Sequence, residues 1–120
     1  FVRMAFLEVG IEVEFKGEGV EEKGFIKSID QSKFTAATGL SSFGVAGGGS
    51  EVLSVDPSYF RPTEVDLLIG DPTKAKEKLG WMPEYDLEGL VKDMMKSDLI
   101  LMKKDQFLKE GGYETLYSFE

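Results

Sequence analysis

Apolar residues recur at Phe1, Val2, Ala5, Phe6 and Val9, in steps of three and four that predict the end of an amphipathic helix. Gly10 stands where a helix would stop. Ile11, Val13 and Phe15 then alternate with Glu12, Glu14 and Lys16, the period of a strand with one buried face. The pattern breaks at Gly17. Residues 17–50 are polar and glycine-rich, most densely over 44–50. Such a stretch has little apolar surface to bury, so 25–50 is expected as a flexible insertion loop, pinned in places by Phe25, Ile26, Ile29 and Phe34.

Alternation resumes over 51–56, read as a short strand, and Asp56-Pro57 turns the chain. Residues 65–69 are expected as a short buried strand. Asp71 is placed to cap a helix with Pro72 at its first position, Ala75 and Leu79 on one face, and Gly80 as its stop. Pro83 keeps that helix from resuming. Asp86 then caps a longer helix. Its apolar stripe of Leu87, Leu90, Val91, Met94, Met95, Leu99 and Met102 is expected to be buried, the methionines as core packing. Gly111-Gly112 ends it, and the last eight residues read as a loose tail. The fold class expected is α/β, one unit over 1–120. It has few short strands plus helices, without the repeated βαβ units of a complete Rossmann sheet.

Composition narrows the chemistry. The chain has 120 residues, 42% hydrophobic and 30% charged, a globular balance. Its net charge of −8 argues against nucleic acid or a membrane surface as partner. A single well-placed Arg can still bind an anion locally, because salt screens a distant field. There is no Cys, His or Asn. That removes disulfides, thiolate and imidazole metal sites, a Ser-His-Asp triad and N-glycosylation. No apolar run approaches the ~20 residues of a membrane span, and no signal peptide is visible. The first residue is Phe, inside a helical pattern, so the chain reads as part of a longer cytoplasmic polypeptide.

Most short motifs fail on their context. Gly44-x-x-Gly47-x-x-Ser50 lacks the last glycine of a dinucleotide loop and any strand–turn–helix around it. Gly17-x-Gly19 lacks a third glycine and a P-loop Lys. No Tyr is followed four residues on by Lys, the pairing that lowers a phenol's pKa for acid–base work. The Glu21-Glu22 pair reads as a solvated acidic face. Phe60-Arg61-Pro62-Thr63-Glu64 is different. The guanidinium of Arg61 offers a planar fork of donors suited to a diphosphate, and the carboxylate of Glu64 can accept from both ribose hydroxyls. On spacing alone that reading stays open beside a plain surface Arg–Glu ion pair, which is the default.

The stretch from Val55 through Arg61-Pro62-Thr63-Glu64, Asp71-Pro72-Thr73-Lys74 and Leu79-Gly80-Trp81 closely resembles the GDP-mannose 4,6-dehydratase family. So do Glu18-Gly19-Val20-Glu21-Glu22-Lys23-Gly24 upstream and the run from Asp86 to Val91. The family belongs to the extended short-chain dehydrogenases/reductases, with a Rossmann portion holding NADP and a smaller C-terminal part gripping the nucleotide-sugar. The resemblance implies that this chain is that substrate-binding C-terminal part. By the same token Arg61 contacts the substrate diphosphate and Glu64 the GDP ribose. It also implies that the intact, homo-oligomeric enzyme is a lyase turning GDP-mannose into GDP-4-keto-6-deoxymannose on the way to GDP-fucose. The family's glycine-rich loop, Tyr-x-x-x-Lys pair and catalytic Thr and Glu map to no position here, so no catalytic residue is assigned and NADP belongs to the portion upstream. The alternative is a truncated, non-catalytic module for nucleotide binding or protein interaction.

Overall fold

The computed structural model describes residues 1–41, 48–63 and 69–115. Among them are four α-helices and one antiparallel sheet of three strands, an α/β layout without a complete Rossmann sheet.

Helix α1 (Val2–Glu8) runs into strand β1 (Ile11–Lys16) through Gly10, whose φ of +78° is open to glycine and costly for other residues. A side chain there would also put Cβ 2.8 Å from the Asp30 carbonyl. That close approach is made by the Asp30 N–H donating to the Gly10 carbonyl at 2.7 Å. A 3₁₀ turn, Gly19–Glu21, leads into β2 (Lys23–Ile29), and helix α2 (Gln31–Thr38) follows at once. Strand β3 (Glu51–Ser54) pairs with the free edge of β2, giving the order β1-β2-β3.

The expected insertion loop over 25–50 therefore holds a strand and a helix over 25–38. Ile26 pairs with Val13 and is 1% exposed, and Phe34 of α2 is 3% exposed. Asp30 caps α2, its carboxylate accepting from the Lys33 N–H at 3.0 Å. The chain returns to the sheet at 48–50, where Gly49 N–H donates to the Ile26 carbonyl and Ile26 N–H to that of Ser50. Residues 42–47 lie outside the described residues.

Val9, Ile11 and Val13, alternating along the chain, meet Ile26 of β2 and Phe34 of α2 in one buried cluster. Gly24 lies among them because β1 and β3 crowd it: an added Cβ would stand 3.2 Å from both Val13 Cγ1 and Leu53 Cβ.

Helix α3 (Thr73–Leu79) begins one residue later than expected, with Pro72 as its cap residue and the Asp71 carboxylate accepting from Thr73 N–H at 3.0 Å. It ends at Gly80, and Leu79 is 79% exposed, not packed. Of the strand expected at 65–69, residues 65–68 lie outside the described residues, and Ile69 is exposed and in no strand.

Helix α4 (Leu87–Glu110) starts where Asp86 caps it, accepting from Gly89 N–H at 2.8 Å. Val91, Met95 and Leu99 face inward at steps of four, Val91 fully buried and the other two packed on the cluster. The remainder of the expected stripe is not core. Leu87, Leu90, Met94 and Met102 are all exposed. Among the described elements α1 and α2 make the main packing against α4, and they cover one band of it. The last eight residues begin within the described part at Tyr113, whose N–H donates to the Leu108 carbonyl at 2.9 Å; 116–120 lie outside it.

Candidate functional site

The register puts Lys23 of β2 opposite Ser54 of β3, so the chain leaves β3 at the sheet end where the 3₁₀ turn joins β1 to β2. It turns immediately. The Asp56 carboxylate accepts from both the N–H (2.8 Å) and the hydroxyl of Ser58, and the Asp56 carbonyl accepts from Tyr59 N–H at 3.1 Å. Those donors, the Ser58 hydroxyl first, hold the Asp56 carboxyl below its ordinary range.

Phe60 then lays its ring on the 3₁₀ turn: a Cβ added to Gly19 would meet the ring at 3.5 Å. That is ordinary van der Waals contact, and the φ of +60° at Gly19 is itself a conformation that favours glycine. This contact joins the two stretches 18–24 and 55–64, far apart in sequence, at one sheet end. Sequence reasoning did not foresee this contact.

Arg61 follows Phe60 directly and is exposed at this end of the sheet. Glu64, expected beside it, lies outside the described residues. A second cation that the sequence did not single out is near the same end of the sheet. Arg3 of α1 stands over the ring of Phe15, 5.0 Å from its centroid, and with Glu22 they line a shallow depression of about 370 Å³.

The helix termini sharpen where an anion can bind. The N-terminal amides of a helix attract phosphate when they are open. In α2 and α4 those ends are capped by the carboxylates of Asp30 and Asp86, and just before α3 the Asp71 carboxylate accepts from the first helical N–H, that of Thr73. The junction from β2 to α2 is a direct strand-to-helix passage, and the negative charge of Asp30 occupies it. A carboxylate at each of these three helix starts disfavours a phosphate there, and cation side chains such as Arg61 and Arg3 are the groups suited to one. Among the described residues no helix is long and apolar enough to cross a membrane.

Comparison with known proteins finds relatives along the whole chain. The model of the GDP-mannose 4,6 dehydratase family matches residues 1–94. The GDP-mannose 4,6-dehydratase of Yersinia enterocolitica is 42% identical over 120 residues, all of this chain and 30% of the relative. That of Vibrio cholerae is also 42% identical over the same span. GDP-mannose 4,6 dehydratase 1 of Arabidopsis thaliana is 49% identical over 73 residues, 60% of this chain and 20% of its own length. The chain spans about 30% of the length of the first of these relatives.

Proposed function

The chain belongs to the GDP-mannose 4,6-dehydratase family, and from that premise we propose that it is the C-terminal, substrate-binding part of such an enzyme and holds the GDP end of GDP-mannose. The observation that carries the reading is the meeting of 18–24 with 55–61 at one sheet end, with Phe60 seated on Gly19 and Arg61 next in the chain.

In this reading the Arg61 guanidinium forms charge-assisted hydrogen bonds to the substrate diphosphate, and Glu64 accepts from the ribose hydroxyls. Both groups touch parts of the substrate that do not change in the reaction. Their grip is uniform between ground and transition states, so it lowers KM and positions the sugar without favouring the transition state. NADP would supply the hydride chemistry at the sugar, and no loop of this sequence carries the glycine pattern that cradles its diphosphate. We assign it, with the acid–base groups, to a portion of the intact enzyme outside this chain. The intact enzyme is then a cytoplasmic, homo-oligomeric lyase making GDP-4-keto-6-deoxymannose for GDP-fucose synthesis.

Arg61→Ala in the intact enzyme tests this. Loss of a charge-assisted contact worth roughly 1.5–3 kcal/mol should raise KM for GDP-mannose by about 10- to 100-fold, with kcat changed much less. Steady-state kinetics with KM and kcat both unchanged would sink it.

A further inference from the structure

Leu87, Met94, Leu101 and Leu108 stand seven residues apart on α4, with Leu90 beside them. At roughly 100° per residue they form one stripe, about 110° around the helix from the band of Val91, Met95 and Leu99 that faces the core. The exposures are 55% for Leu87, 44% for Leu90, 42% for Met94 and 43% for Leu101. Leu108, at the far end of the stripe, is half-buried, and Ile100 and Phe107 are exposed apart from it. The described fold covers one apolar face of this helix and leaves most of this second stripe open.

The spacing says what covers the other. A seven-residue apolar repeat drifts only about 20° per repeat on a straight helix, so it stays in register with a second helix crossing at a shallow angle. The shape of the chain agrees that packing is incomplete. Its radius of gyration is 18.2 Å, against about 14 Å for a compact domain of this length. Family relatives of more than three times this length supply the missing material. We propose that this stripe is the seat of an amphipathic helix from the part of the family polypeptide outside this chain. Asp98 and Asp105 border the stripe on one side, so the partner helix carries Lys or Arg facing them.

The proposal rests on the chain being one part of a longer dehydratase, and not on how GDP is held. The test introduces single cysteines into the intact enzyme by Met94→Cys and Leu101→Cys, and by Lys96→Cys and Lys103→Cys, about 200° around the helix. Labelling with N-ethylmaleimide is followed residue by residue by peptide mass spectrometry. The expected result is at least tenfold slower labelling at 94 and 101 than at 96 and 103, independent of protein concentration. Equal rates at all four positions overturn the proposal. Protection that fades on dilution overturns it too, because the occupant is then a second copy. Protection in an enzyme whose Arg61→Ala variant binds GDP-mannose normally leaves this inference standing while the substrate reading falls.

Discussion

Residues 1–54 and 55–86 are held in shape by different physics. The first region contributes Val9, Ile11, Val13, Ile26 and Phe34, the whole of the buried cluster. In the second, no described residue is buried. Among the described residues its order includes short-range hydrogen bonds, such as Ser58 to Asp56 and Thr73 to Asp71, and a ring laid on Gly19. The region with the core builds a platform, and the region without one carries the proposed substrate contact. A segment that relies on local bonds can present its side chains outward, because burying apolar surface is not what keeps it in place.

The largest expected effect separates the two regions directly. Ile26→Ala should cost roughly 2–5 kcal/mol, since it removes a 1%-exposed side chain from a packed cluster. Leu79→Ala, at a position 79% exposed, should stay within about 0.5 kcal/mol. Urea unfolding of both variants checks this, and equal costs would erase the distinction.

A helix cap gives a finer version. Asp86→Ala should cost about 1 kcal/mol, because the cap it removes starts the helix that seats Val91 in the interior. Asp71→Ala breaks a similar cap on a helix with no buried residue, and the urea midpoint should not move measurably. A clear shift for Asp71→Ala would show that α3 is more firmly docked than its exposure implies.

The same division governs what was legible in the sequence. The strand at 11–16 could be read because Ile11, Val13 and Phe15 keep strict alternation. The strand at 23–29 could not. Gly24 takes an inward position without an apolar side chain, and a bulge shifts the register so that Ile29, not Lys27 or Ser28, returns to the partner strand opposite Ile11. A rule of period two fails where the backbone inserts a residue. The stripe on α4 was legible as amphipathic, but the pattern does not say how many neighbours a helix has, so Met94 and Met102 were expected to be buried and are exposed. At the candidate site, the roles proposed for Arg61 and Glu64 rest on residue type and on the family resemblance, and Glu64 lies outside the described residues. The seat of Phe60 on Gly19 was not legible, because a contact spanning that much sequence leaves no local trace.

The smallest expected effect is a pH dependence, and it cuts along the same line. The Glu12 carboxyl is held below its ordinary range, by Lys27 at 2.6 Å first and by Ser28 second. Asp56 is lowered as well, by Ser58. A carboxyl lowered in the folded state adds stability above its unfolded pKa and loses it as pH falls through the folded value. That holds only where the unfolded chain lacks the partner. Lys27 is fifteen residues from Glu12 and meets it only across the sheet, whereas Ser58 is two residues from Asp56 and remains within reach in the unfolded chain. The stability advantage of the wild type over Glu12→Gln should therefore shrink as pH is lowered below the ordinary carboxylate range, and the two unfolding midpoints should converge in acid. Both partners are exposed, so the difference should be small and should fade with added salt. Asp56→Asn should show no such convergence. Urea midpoints across the acid range, at low and high salt, measure both. A convergence for Asp56→Asn as large as that for Glu12→Gln would mean that the turn at 56–59 is held by the fold, and that the second region depends on the first more than its hydrogen bonds indicate.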